Sequence, residues 1–452
     1  MGSPSEQRVV MQAFRFELDP NQVQRVLLAK SVGCSRFVYN WGLAESQRDY
    51  ELTGKRPRLS ELKARLVTLK KSEAPWLYEV SAHIGQQALV DINAAFERFF
   101  RGLKDGPSSG FPRFHKKGER DSARLYEVTL EERHLRLPLI GRVRLKETRR
   151  ARGFEGQILS ATITRRADRW FVALAVERER SVVLPKPVRG GRDVVGIDLG
   201  LKSAAVIHDG KSARTIPAQQ ALRKNLVKLA RLDRQLARKQ KGSANREKAK
   251  LARARLYYRV SCQRNDFLHQ LSSELTKTKS VIVLENLNVE GIKRGPHLGL
   301  STSDAGLGEL RRQVAYKGEW YGARLIVADR FFPSTQLCSG CGVLNPQVKG
   351  LAGLKERTFV CPACGLELDR DENAAINLRA YGLRQLQLPE GLREVTPVEK
   401  KALTSVSVRE ATPASAKQEA TARRPRNVGF VTRIGTPKDV PVLALAGTSH
   451  PT

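Results

Sequence analysis

The chain has no run of about 18 apolar residues, which excludes a simple membrane-spanning helix. Its first 30 residues lack the charged start, apolar core and small-residue cleavage site of a secretion signal, so a cytoplasmic protein is expected. Cysteine is scarce, and six in 452 residues are too few for a disulfide scaffold. No internal repeat is evident. Acidic residues are outnumbered throughout, 46 Asp and Glu against 80 Lys and Arg, and no acidic segment offsets a net charge of +34. That excess is far beyond the needs of solubility and calls for a polyanionic partner. The basic residues are spread along the chain, as suits a channel following a phosphate backbone over many contacts. The competing reading is a solvated basic surface, as on a ribosome-associated or membrane-surface protein. A hydrophobic content of 40% is enough for real cores in two or three domains.

Residues 8–18 alternate as a strand. After Asp19-Pro20 a helical stretch runs from Gln22 toward Tyr50, carrying Val26, Leu27, Val38 and Trp41. From His83 to Leu103 the residues Ile84, Ala88, Ile92, Phe96, Phe99 and Leu103 recur at helical spacing and predict one buried face. The following loop sets Phe111 and Phe114 among Arg113, Lys116 and Lys117, which suits either nucleic-acid contact or loop packing. Residues 121–180 alternate in short segments and predict a small antiparallel sheet or barrel. A Pro- and Gly-rich linker at 184–193 leads to a new domain, opening with a hairpin from VVGID and SAAVIHDG. No proline occurs from 218 to 277, and that Lys- and Arg-dense stretch, broken at Gly242-Ser243-Ala244, reads as a basic helical hairpin. It is either a solvated helix pair or a grip on nucleic acid. A strand at 281–285, a loop through 303, a helix at 307–321 and a strand at 323–328 complete an α/β pattern. Beyond about Leu388 aromatics nearly vanish, and a disordered tail is expected.

Three carboxylates stand where carboxylates need a reason. Asp198 ends VVGID and Glu285 ends VIVLE, both apolar strands in which an acid is costly unless it meets a cation or a cleft. A third acid lies in LDRDENAAINL at a helix start, where either Asp371 or Asp369 can serve; singly, each of these acids can be a strand-end or helix-cap residue. Together, three such acids can hold two magnesium ions roughly 4 Å apart for phosphodiester chemistry. Asn373 is placed as a supporting residue of that site. Cys338-Ser-Gly-Cys341 and Cys361-Pro-Ala-Cys364, 19 residues apart, have the spacing of a four-cysteine structural zinc site. Cys34 and Cys262 are read as small packing residues.

On GCSRFVYNWGL (33–43), GFPRFHKKG (110–118), VGIDLGLKS (195–203), VLENLNVEGI (283–292), FFPSTQLCSGCG (331–342) and CPACGLELDRDENAAINL (361–378), the chain resembles the TnpB (OrfB) family. These are transposon-associated RNA-guided nucleases related to type V CRISPR effectors. The resemblance implies an RNase H-like RuvC nuclease domain with an inserted zinc ribbon, and an N-terminal β-barrel (wedge) domain with a helical recognition insert. It implies wedge segments at 1–50 and 121–185, the recognition insert at 51–120, and RuvC segments at 186–337 and 365–388. The ribbon, at 338–364, would bind target nucleic acid, and 389–452 forms the tail. It further implies Asp198, Glu285 and Asp371, rather than Asp369, as the catalytic magnesium ligands. Its partners would be a guide RNA from the transposon end and double-stranded target DNA beside a short motif, with no membrane and one monomer per RNA. Ser203, where relatives often carry an acid, and Gln336, where lysine is common, depart from the pattern. Two other functions compete: a nuclease-inactive RNA-guided binding module, and a guide-free resolvase or transposition accessory. The intact acidic triad favours the RNA-guided DNA endonuclease.

Overall fold

The computed structural model describes residues 7–105, 110–118, 121–147, 154–181, 183–295, 298–348 and 357–387; the expected tail lies outside them. Among the described residues no helix is long and apolar enough to cross a membrane.

The N-terminal half is built on strands β1 (Gln7–Asp19), β2 (Ser122–Leu125), β3 (Thr129–Leu130), β4 (His134–Leu137), β5 (Gly141–Leu145), β6 (Gln157–Arg166) and β7 (Arg169–Ser181). They form one antiparallel sheet in the order β2-β6-β7-β1-β5-β4-β3. Strand β1 pairs with β7 from Gln7 opposite Ser181 to Leu18 opposite Trp170, which sews the start of the chain to a segment 150 residues later. Among the described residues the end strands β2 and β3 have no ladder to each other, so of the sheet or barrel expected the hydrogen bonding is that of an open sheet.

Three helices lie between β1 and β2: α1 (Gln22–Thr53), α2 (Leu59–Ser72) and α3 (Ala82–Asp105). Asn21 caps α1 in a reciprocal box with Gln24, and Gly54 ends it at φ 70°. The helix is unbroken across residue 50. A methyl group at Gly42 would lie 2.7 Å from Leu89 Cδ2, so α1 and α3 pack closely there. The predicted stripe of α3 is buried at Ile84, Ala88, Ile92 and Phe96, but Leu103 is 62% exposed, because α3 outruns the core it covers. Val26 likewise faces outward, while Leu28 and Val32 turn in. Helices and sheet share one core.

After the linker come β8 (Val194–Asp198), β9 (Ser203–His208), β10 (Ala213–Pro217), β11 (Val281–Leu284) and β12 (Arg324–Val327). Their order is β10-β9-β8-β11-β12, with β8, β11 and β12 parallel and β8, β9 and β10 antiparallel. Helix α4 (Leu226–Ala237) and the 35-residue α5 (Ala244–Thr278) form the predicted basic hairpin. The stretch after β11, expected as a loop through residue 303, contains two short helices, α6 (Val289–Arg294) and α7 (Gly299–Ala305). Neither is long enough to carry a periodic apolar stripe. Helix α8 (Leu307–Tyr321) follows. A two-stranded hairpin, β13 (Thr358–Val360) and β14 (Glu367–Asp369), then leads into helix α9 (Arg370–Gln387).

Parity decides which helices meet which strand residues. Val195, Ile197, Ile282 and Leu284 pack with Leu271, Leu275, Leu310 and Val314 of α5 and α8. Val194, Val281 and Val283 pack with Leu378 and Tyr381 of α9. Both sheet faces are covered, hence the uninterrupted apolar runs.

Candidate functional site

Asp198 and Glu285 share the parity of Val194 and Val281, so both belong to the face that α9 covers, at the ends of adjacent parallel strands. Asp198 is 8% exposed. Burial, then the charges of Glu285 and Asp371, push its carboxyl well above the usual carboxylate range, and a hydrogen bond with Glu285 adds to this. Arg370, itself buried, acts in the opposite direction. The Ser334 hydroxyl donates to Glu285 Oε1. Arg357 Nη1 lies 3.4 Å from Asp371 Oδ2, and Arg370 Nη2 lies 3.7 Å from Asp371 Oδ1.

The structure therefore brings Asp198, Glu285 and Asp371 into one electrostatic cluster. Asp369 stands apart: its Oδ1 accepts from the backbone N–H groups of Asp371 and Glu372 at 2.9 and 3.1 Å, a cap on α9. Asn373 is not a supporting residue of the acids. Its Oδ1 accepts from Ser339 N at 2.9 Å and its Nδ2 donates to Leu337 O at 2.7 Å, so it holds the first cysteine knuckle onto α9. Asn377 reinforces this, donating to Ser334 O and Leu337 O at 2.8 and 2.6 Å. Ser334, Arg370 and Asn377 carried no sequence signal of their own, because each acts through a contact between distant segments.

The donor set is all oxygen and carboxylate-rich, which suits magnesium. The acids do not form a set with every ligand atom within 4.8 Å of the others.

The four cysteines of the two knuckles do form such a set, within 4.8 Å. Sulfur separations of 3.7 Å for Cys338 and Cys364 and 3.5 Å for Cys341 and Cys361 are close to the edge of about 3.8 Å in a tetrahedron of zinc–sulfur bonds. N–H groups of Cys364 and Ala363 are aimed at Cys361 Sγ and favour its thiolate, the form that zinc binds. The residues thus fit a structural zinc with no open position. Of the remaining two cysteines, Cys34 is buried as expected; Cys262 is not, lying exposed on α5 beside Tyr258, because it opens into the cleft between α5 and the N-terminal sheet.

Between α5 and the N-terminal sheet lies an open cleft of about 810 Å³ lined by Arg15, Arg165, Arg166, Arg253, Arg264 and Tyr257. In the 110–118 loop, Phe111 packs edge-on against Phe96 and Phe99. His115 stacks on Tyr39 at 3.8 Å, while Phe114 is exposed. For Phe111, packing is the observed role.

The chain thus combines a mixed α/β fold with a four-cysteine cluster that fits a zinc ribbon. Residues 172–295 match the OrfB_IS605 family, described as "Probable transposase"; 308–378 match the Cas12f1-like TNB domain, and 10–55 a helix-turn-helix domain of OrfB_IS605 proteins. A Streptomyces pristinaespiralis protein named "Putative RNA-guided DNA endonuclease" is 36% identical over 85% of this chain and 92% of that one. The Escherichia coli K12 protein "Putative RNA-guided DNA endonuclease InsQ" is 30% identical over 86% of this chain and 96% of that one. A solved Cas12f1–sgRNA–target DNA complex overlaps 82% of this chain and 99% of that one at 16% identity and a TM-score of 0.33, too loose a likeness to carry an argument. The chain belongs to the TnpB (OrfB) family.

Proposed function

We propose that this chain is an RNA-guided DNA endonuclease with one acidic hydrolytic site in an RNase H-like (RuvC) domain at residues 186–388. The observation that carries the reading is the meeting of Asp198, Glu285 and Asp371 at one end of a sheet, with the carboxyl of Asp198 pushed up first by its burial and then by the charges of the other two. A buried acid set beside two like charges is held in place by a need for cations. Two magnesium ions bound by these acids would activate a water and stabilise the leaving oxygen of a phosphodiester. The protein's own part is positioning: Ser334 orients Glu285, and Arg357 and Arg370 flank Asp371. Zinc held by Cys338, Cys341, Cys361 and Cys364 would tie the ribbon together beside the site.

The names of the relatives support an RNA-guided DNA substrate. The arginine-lined cleft and the net charge of +34 support a path for a phosphate backbone. In this reading the guide derives from a transposon end and the target lies next to a short motif read mainly by the N-terminal half. One site cuts both strands, and one protein serves each RNA. Residues 1–50 and 121–185 act as the wedge, 51–120 as the recognition insert and 338–364 as a target-binding ribbon.

The test is to purify the protein from its native locus, sequence the accompanying RNA and assay cleavage of matching DNA. Asp198→Ala should abolish cleavage and leave RNA and DNA binding nearly intact, since no phosphate-contacting cation is lost. Equal loss of binding, or cleavage that survives RNase treatment, contradicts the reading.

A further inference from the structure

Just beyond the acids, the loop leaving β12 carries two adjacent phenylalanines with opposite fates. Phe332 packs its ring on Tyr381 at 4.9 Å. Phe331 is 82% exposed. Slackness does not explain the difference, because the loop is braced throughout. Ala328 N donates to Leu284 O at 2.8 Å, which starts the loop level with Glu285. Tyr381 Oη donates to Asp329 Oδ2 at 3.1 Å, and Phe332 N donates to Asp329 O at 3.0 Å. Ser334 is held from two sides, by Asn377 at its carbonyl and by its own bond to Glu285. Phe331 is three residues from Ser334, a reach of at most about 10 Å. Its ring is therefore presented to solvent, from a fixed loop, at the edge of the acid cluster. Arg330 sets its guanidinium 6.0 Å from that ring.

We propose that Phe331 is a positioning residue that stacks one unpaired nucleobase of the strand whose phosphodiester lies at the acids, with Arg330 meeting an adjoining phosphate. This rests on the nuclease reading of the acids. A flat apolar ring beside a guanidinium matches the two halves of a nucleotide, base and phosphate, and stacking tolerates any base because each has a π-face. Drawing one base out of a duplex stack presents a single strand to the acids. The site would then prefer a locally unpaired strand.

The test uses the full chain with its co-purified RNA in the non-cleaving Asp198→Ala background, so that cutting does not enter the readout. The probe is single-stranded DNA containing 2-aminopurine, whose fluorescence is quenched on stacking. Phe331→Ala and Phe331→Leu should each lose the quench and bind about tenfold more weakly, while Phe331→Trp retains both. Arg330→Gln should lower affinity and flatten its salt dependence. Quenching by Phe331→Leu equal to that of the parent overturns the proposal. So does a drop in melting temperature for Phe331→Ala, which would mark a ring packed on its own chain. Failure of the Asp198-intact chain to cleave would instead strike the nuclease reading, which these binding measurements leave separate.

Discussion

Gly196 of β8 lies directly against Ala375 of α9: a methyl group at position 196 would sit 2.0 Å from the Ala375 carbonyl oxygen and 2.4 Å from the Arg379 nitrogen. Strand and helix touch backbone to backbone. Asp198 is two residues along the same strand face, and Asp371 is one turn before Ala375 on the same helix. This close approach is what lays Asp371 over Asp198.

Gly196→Ala should therefore be costly although alanine is small. Overpacking a core usually costs about 1–3 kcal/mol by displacing side chains, but here the obstacle is backbone. The expected outcome is a loss at or above that range in urea unfolding, with cleavage falling further than stability as Asp371 moves away. Wild-type activity and stability in this variant would show that the contact does not set the site.

Without divalent ions, Asp198→Asn should be more stable than the parent. The sign follows from the raised carboxyl of Asp198: its contribution is fully present below the unfolded value of about 3.9 and is lost as pH rises through the higher folded value. At neutral pH with a chelator present, the asparagine removes repulsion from Glu285 and Asp371. Magnesium should then raise the melting temperature of the parent and leave the variant unmoved. Equal stabilisation of both would place the ions elsewhere.

Zinc removal should loosen the ribbon. Cys338→Ser, or a strong chelator, is expected to lower the stability of the C-terminal half and release one zinc per chain by metal analysis. Asn373→Ala should keep the zinc yet lose about 1–3 kcal/mol, because Ser339 N and Leu337 O lose a buried partner. Unchanged melting in the chelator would dismiss a structural metal.

Lys317 provides a pH-dependent stability. It is 4% exposed, and its ammonium donates to His269 O, Ser272 Oγ and Ser273 Oγ at 2.8, 2.7 and 2.8 Å, tying α8 to α5. Burial, then the charge of Lys277, lowers it to about 8. Between that value and the unfolded value of about 10.4 the unfolded chain holds the extra proton, so stability should rise with pH across this window. Relative to Lys317→Met, the parent should gain on the order of 1 kcal/mol between pH 7.5 and 9.5. A flat difference would mean the amine stays charged in the fold.

Some features were legible because one local pattern encodes them. VVGID and VIVL read as strands because both faces are buried, and the long hairpin read as helical because no proline interrupts it. The cysteine spacing read as a metal site because chain geometry limits how two knuckles can close. Others were not local. Helices α6 and α7 are too short for periodicity, and Leu103 follows its stripe past the end of the core. Asn373 lies two residues from Asp371, yet it turns to the ribbon and not to the acids. Phe331 and Phe332 are the same residue type side by side, yet one is exposed and the other half-buried against Tyr381.

By itself the sequence determined the kinds of element, the cysteine ligand set, the basic character and the acids that call for explanation. Only the tertiary structure decided that Asp198 and Glu285 lie beneath α9, that Asp371 and not Asp369 faces them, and that among the described residues β2 and β3 form no ladder to each other. The physical reason is one of reach. Periodicity specifies which face of its own element a side chain takes, but which element covers that face depends on packing between segments more than a hundred residues apart.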